Sequence, residues 1–207
     1  KLISAMLLAA VLLTACGGAK TVDGTKSGSD AASEQTAEKT SAGGSIDVQI
    51  GSSPETMDPA LNSAADAANM ILHAFTGLLT VDKNQNIVGG LAEKWETSED
   101  GLTWTFHLRP DLKWSDGSDL TAEDFVYSWK RLADPSLAAP YGYDLLNMIE
   151  GYDKAANGDL DALAVSAPDS STFVVKLSNP CTYFDKIASF ISTSPVQKAT
   201  VEANGDE

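Results

Sequence analysis

The sequence predicts an α/β fold of the mixed α+β kind, and three observations carry that prediction. Leu102, Trp104, Phe106 and Leu108 alternate with Thr103, Thr105 and His107, the period of a strand with one dry face. Asp100-Gly101 and Asp116-Gly117 bracket that strand as tight turns, because glycine tolerates positive φ. A helix start then follows with its signals in register: Thr121 as cap, Asp124 at the third helical position, and Leu120 and Phe125 as a staple. Phe125, Val126 and Trp129 give this helix an apolar stripe, and Asp134-Pro135 stops it.

Residues 1–16, KLISAMLLAAVLLTAC, place one lysine before a short apolar run. The run is too short to span a bilayer and reads as an export signal. Leu13-Thr14-Ala15-Cys16 resembles a bacterial lipobox, with Cys16 the residue that cleavage would expose for lipid attachment. The chain opens on Lys, not Met, so the true start is expected further upstream. Residues 17–45 are Gly, Ser, Thr, Ala and charged residues with Val22 the only bulky apolar side chain. Such a stretch cannot offset its ordering entropy by burial and is expected to be a disordered tether reaching about 30 Å.

Residues 46–50 alternate Ile46, Val48 and Ile50 with Asp47 and Gln49, a strand pattern. A Ser-Pro-Glu-Thr-Met-Asp-Pro loop leads to a helix expected from about Asp66 to Thr76 and ended by Gly77, with Met70, Ile71, Ala74 and Phe75 at helical spacing. His73 lies in it and reads as a structural or surface residue. Residues 81–88 read as two short strands around a polar turn. Beyond Pro135, Leu145, Leu146, Ile149 and Tyr152 predict one helix before Gly158. Residues 164–167 and 172–177 predict a strand pair, with Phe173, Val175 and Leu177 on one face. A further helix is expected from the 179–184 stretch. Trp95, Trp104, Trp114 and Trp129 are assigned to the core.

The formal net charge of -15 argues against binding a phosphate backbone, and so against nucleic acid. Two cysteines, Cys16 and Cys181, leave no internal disulfide if Cys16 carries lipid, and Cys181 is read as a packing residue. Two histidines at unrelated places, with no HExxH, CxxC, nucleophile elbow, P-loop or dinucleotide motif, give no enzyme signature. Glu123-Asp124 at a helix start favours the dipole more simply than it does glycosidase chemistry. No enzymatic activity, cofactor or metal is therefore expected.

DGLTWTFHLRPDLKWSDGSDLTAEDFVYSWKRL is similar to the signature segment of the family 5 extracellular solute-binding proteins, the oligopeptide- and dipeptide-binding components of ABC importers. Ser-Pro-Glu-Thr-Met-Asp-Pro resembles the family's E-P-x-x-L-D-P, and Phe75-Thr76-Gly77-Leu78 its F-E-G-L. Gly89-Gly90-Leu91-Ala92-Glu93-Lys94-Trp95 resembles P-G-L-A-E-S-W, with Gly89 where proline is usual.

The resemblance implies a type II periplasmic-binding-protein clamshell, of which this chain is the N-terminal part. Residues 46–75 would begin the hinge-bearing lobe, 76–196 form the inserted α/β subdomain, and 197–207 re-enter the first lobe. It implies capture of an oligopeptide by lobe closure, delivery to the ABC permease, and a monomer tied to the membrane through Cys16. Tyr141 matches a tyrosine near the bound peptide, its alternative role being a surface aromatic of the subdomain; Ser63 stands where some relatives carry an acidic residue, and Phe190 lies near the ligand wall at a position where relatives differ. Most ligand contacts in the family lie beyond the matched portion, so these residues alone are expected not to hold a peptide tightly. Two other readings stay open: a binder of nickel, haem or oligosaccharide within the family, and a surface lipoprotein with a structural role.

Overall fold

The computed structural model describes residues 45–49 and 51–205. Cys16, the expected export segment and all but the last residue of the tether lie outside the described residues. Contacts divide the chain after Ile46, and the elements below belong to the unit that follows.

The strand expected at 46–50 is not formed over its described residues, 46–49. Residues 45–49 carry no regular structure, and Ile46 and Val48 are 85% and 71% exposed. Alternation sets which face a strand would bury, but its backbone groups also need a ladder partner, and no described strand offers one.

Helix α1 (Ala65–Ala74) buries Ala67 and Ile71 and ends two residues sooner than expected, because Phe75 is already extended (φ −121°, ψ 151°). Its first turn is tied down by Asp66, which accepts the Ser52 hydroxyl at 2.6 Å and the Ser52 N–H at 3.3 Å. His73 is exposed. Strands β1 (Leu79–Val81) and β2 (Ile87–Gly89) pair antiparallel as the sequence predicts. Between them Asp82 accepts the N–H groups of Asn84 and Asn86 at 2.8 and 2.9 Å, closing the polar turn.

Strands β3 (Ala92–Thr97) and β4 (Thr103–Leu108) form a hairpin with a bulge between Ala92 and Lys94. Gly101 supplies the positive φ of +72° that the turn needs, and Asp100 accepts both the Ser98 hydroxyl and the Leu102 N–H. Along β4, Trp104, Phe106 and Leu108 are buried and the residues between them are half-buried, which is the expected alternation. The second turn also forms, with Gly117 at φ +88° donating its N–H to the Trp114 carbonyl at 3.0 Å.

Helix α2 (Ala122–Ala133) starts and stops where its signals stand. Asp124 reaches back to accept the Thr121 N–H at 2.8 Å, and Asp134 is the C-cap. It buries Phe125, Trp129 and Leu132.

The single helix expected between Leu145 and Gly158 is instead two short ones, α3 (Gly142–Leu146) and α4 (Tyr152–Ala155). The interruption has a long-range cause. Ile149 bridges Leu177, the Glu150 N–H donates to the Lys176 carbonyl at 2.9 Å, and the Ala164 N–H donates to the Glu150 carbonyl at 2.9 Å. Gly151, at φ +83°, turns the chain out of this extended step and into α4.

Strands β5 (Val165–Asp169) and β6 (Thr172–Lys176) complete an antiparallel four-stranded sheet of order β3-β4-β6-β5. Phe173, Val175 and Leu177 are fully buried, as their shared face requires. Helix α5 (Phe184–Ala188) begins after Asn179-Pro180, and α6 (Lys198–Asn204) is the last described element.

One face of the sheet is covered by helix. Phe173 on β6 meets Phe125 at 5.7 Å and Trp129 edge-on at 5.1 Å, and Trp104 on β4 meets Phe184 at 5.4 Å. Each such side chain, fully buried, contributes about 1.5–3 kcal/mol of transfer free energy. Trp104 and Trp129 belong to this core, whereas Trp95 and Trp114 are half-buried at its border. Cys181 is buried and unpaired, in the packing role expected of it.

Candidate functional site

Tyr141 is delivered by the connection between α2 and α3. After the helix, Asp134 accepts the Ser136 N–H and hydroxyl at 2.8 and 2.7 Å, making a compact turn. Ala138 takes a left-handed φ of +52°, and Tyr141 becomes the N-cap residue of α3. Gly142 lets this turn approach α2 closely: a Cβ there would stand 2.5 Å from the Leu132 carbonyl oxygen.

Phe190 follows α5. Its N–H donates to the Ile187 carbonyl at 3.0 Å, while its own carbonyl accepts the Thr193 N–H at 3.0 Å and hydroxyl at 2.7 Å. The 3₁₀ turn Ile191–Thr193 is in turn fastened to α2. Trp129 Nε1–H donates to the Thr193 carbonyl at 3.0 Å, and the Ser128 hydroxyl oxygen accepts the Val196 N–H at 2.8 Å.

These two supports bring Tyr141 and Phe190 together. Their ring centroids are 5.4 Å apart at an interplanar angle of 71°, an edge-to-face pair. Tyr141 is half-buried and Phe190 is 38% exposed, so the pair forms an aromatic shelf with one open side. Ser63 is exposed in the turn before α1, and no hydrogen bond or ring contact joins it to the shelf.

That turn rests on an ion pair between a buried arginine and a half-buried carboxylate. Arg131 meets Asp58 through both arms of its guanidinium, Nη1 to Oδ1 at 3.2 Å and Nη2 to Oδ2 at 2.7 Å. Asp58 Oδ1 also accepts the Ala60 N–H at 2.8 Å, and Asn62 Oδ1 accepts the Ala64 N–H at 3.1 Å. Sequence reasoning missed Arg131 and Asp58 as members of this surface. The available signal was an arginine flanked by Trp129 and Leu132 on the buried side of an amphipathic helix, where a charge calls for a partner.

Two hollows touch the Arg131–Asp58 pair, one lined in part by Asp58 and the other by Arg131. One of about 520 Å³ is lined by Phe75, Leu91, Trp114, Pro195, Val196 and Gln197, among others. Another of about 600 Å³ lies by Lys130 and Asp161, whose ion pair at 2.6 Å lowers the carboxyl of Asp161 below its ordinary range. Neither is lined by Ser63, Tyr141 or Phe190. Beside the 520 Å³ hollow, Gln197 donates to Asp116 Oδ2 at 2.8 Å and to the Ser118 hydroxyl at 2.9 Å, tying the start of α6 to the second turn. Among the described residues no group of three or more His, Cys, Asp or Glu side chains is placed to hold a metal ion. No helix among them is long and apolar enough to cross a membrane.

Residues 86–207 match the model of the bacterial extracellular solute-binding proteins, family 5 Middle. The periplasmic oligopeptide-binding protein OppA of Escherichia coli is 42% identical over 160 residues, covering 76% of this chain and 29% of that protein. The oligopeptide-binding protein OppA of Bacillus subtilis is 32% identical over 205 residues, covering 98% of this chain and 36% of that protein. Among solved structures, Haemophilus influenzae OppA in complex with RPPGFSPFR superposes with a TM-score of 0.72 at 38% identity, covering 76% of this chain and 31% of that one. The chain thus spans about a third of the length of the relatives it matches.

Proposed function

The chain belongs to the bacterial extracellular solute-binding proteins of family 5, and from that premise we propose that it is the substrate-binding component of an ABC importer that captures oligopeptides. Its role is solute binding, not catalysis. The observation that carries the proposal is the aromatic shelf of Tyr141 and Phe190, open on one side and braced from behind by α2. Aromatic rings offer a large apolar contact surface at low conformational cost, which apolar, aromatic and cationic peptide groups can share, and this suits a peptide receptor. Similarity to a relative solved with a bound nonapeptide supports the same reading.

In this proposal residues 46–75 begin the hinge-bearing lobe, 76–196 form the inserted subdomain, and 197–207 return to the first lobe. A peptide bridging two lobes has greater affinity for the closed state and shifts the population towards it. Tyr141 and Phe190 face the ligand, and Ser63 offers a hydroxyl where some relatives would offer a carboxylate. Cys16 carries the lipid that holds the protein, as a monomer, on the outer face of the cytoplasmic membrane, where it hands peptide to the permease.

Calorimetric titration of RPPGFSPFR into the protein as its host makes it tests the proposal. Micromolar or tighter binding is expected, with a matching rise in melting temperature by mass action. No binding by this or other oligopeptides, alongside stabilisation by nickel, haem or an oligosaccharide, would replace peptide with that solute.

A further inference from the structure

Four residues of α2 within 128–132, namely Ser128, Trp129, Arg131 and Leu132, hold three separate stretches of the surface. Ser128 and Trp129 fasten the segment that carries Phe190, through Val196 and Thr193. The Leu132 carbonyl abuts Gly142 and so seats the turn that carries Tyr141. Arg131 grips Asp58, whose carboxylate accepts the Ala60 N–H and whose carbonyl accepts the N–H groups of Leu61 and Asn62 at 3.2 and 3.1 Å. The turn that ends at Ser63 is therefore built on the carboxylate that Arg131 holds.

We infer that Arg131 is a positioning residue, which fixes the 58–63 turn to the helix that also braces the Tyr141–Phe190 shelf and thereby governs peptide affinity without touching peptide. The inference rests on the peptide-binding reading above. Its physical basis is the kind of contact. The Arg131 side chain is 7% exposed and that of Asp58 21%. With the arginine buried and the carboxylate half-buried, desolvation offsets much of the attraction, so the pair adds little net stability over an apolar replacement. What a two-pronged guanidinium–carboxylate contact does supply is a fixed orientation, which a lysine cannot reproduce.

The test compares Arg131→Lys, which keeps the charge and loses the fork, with Phe106→Leu, which weakens the core on β4 and leaves the three fastenings alone. Amide exchange at Ala60 and Asn62, melting temperature, and affinity for RPPGFSPFR are measured in the full protein well below both melting points. Arg131→Lys should speed exchange at those amides and weaken peptide binding by about tenfold each, roughly the loss of one charge-assisted hydrogen bond. Phe106→Leu should lower the melting temperature and leave exchange and affinity as in the parent. If Arg131→Lys fails to fold, Arg131→Gln, which keeps a planar polar end and removes the charge while leaving Asp58 in place, is measured instead with the same expectations. Affinity equal to the parent's, or Ala60 and Asn62 amides as protected as before, overturns the inference. A parent that binds no peptide defeats the functional reading instead, and the exchange measurement then decides alone whether Arg131 sets the turn.

Discussion

Gly151 offers the sharpest test of how this chain is held together. Its φ of +83° lies in the left-handed region, and a Cβ added there would stand 1.8 Å from the Ala162 carbonyl oxygen and 2.7 Å from its carbon. Both neighbours are backbone, so neither can rotate away. The surrounding chain is also pinned: Glu150 is bonded to Lys176 and Ala164, and the Gly151 carbonyl accepts the Lys154 and Ala155 N–H groups at 3.1 Å each. Gly151→Ala therefore adds a left-handed penalty of about 1–2 kcal/mol to an overpacking cost of about 1–3 kcal/mol. For a unit of this size, a total of about 2–5 kcal/mol lowers the melting temperature by roughly 4–20 °C. Gly117→Ala is the matched control, since Gly117 has φ +88° with nothing within 4 Å of its added Cβ. It should lose only the conformational part. Circular-dichroism melts and urea titrations of both variants read the difference directly. Equal losses at the two positions would refute the claim that the Ala162 backbone closes on Gly151.

Three further outcomes follow from other contacts. The Ser118 hydroxyl, then the Gln197 amide and the Ser118 N–H, hold the Asp116 carboxyl down at about 2. Because its folded value lies below its unfolded one, Asp116 stabilises the fold above about pH 4 and loses that contribution as pH falls through about 2. An NMR titration should show Gln197→Ala moving this carboxyl upward, and an unmoved titration would remove Gln197 from the account. Asp124→Ala forfeits the back-bond to Thr121 and should cost about 0.5–2 kcal/mol, seen as a lower urea midpoint at unchanged slope. Tyr141→Ala should weaken RPPGFSPFR binding about tenfold or more while moving the melting temperature only a few degrees. Unchanged affinity would take Tyr141 out of the ligand contact.

What could be read from the residues divides along the range of the forces involved. The β3–β4 turn, the alternation of β4 and both ends of α2 depend on neighbours a few positions apart, and each stands where its signals put it. The break between α3 and α4 could not be read this way. Leu145, Leu146, Ile149 and Tyr152 keep helical spacing throughout, but the backbone of 149–150 is claimed by the end of β6, far along the sequence. Likewise 46–49 alternates as a strand should, yet no described strand pairs with it. Tyr141 and Phe190 were each marked by family resemblance. That they meet edge to face depends on Trp129, Ser128 and Gly142 acting across the fold, and no local pattern reports it. The place of Arg131 on the apolar side of α2 calls for a partner, but that the partner is Asp58, 73 positions away, no local pattern reports.

The two outer strands of the sheet bear on how copies of the protein behave towards each other. An unpaired strand edge is a template on which a second molecule can extend the ladder, and crowding makes that encounter frequent. Here β3 is bent by its bulge and exposes Glu93, Lys94 and Glu96, while β5 carries Pro168 inside a second irregularity between Ser166 and Asp169. A stranger approaching β3 would bury charge, and one approaching β5 would find an amide hydrogen missing. Neither margin thereby presents the flat, uncharged and regular ladder that such pairing needs.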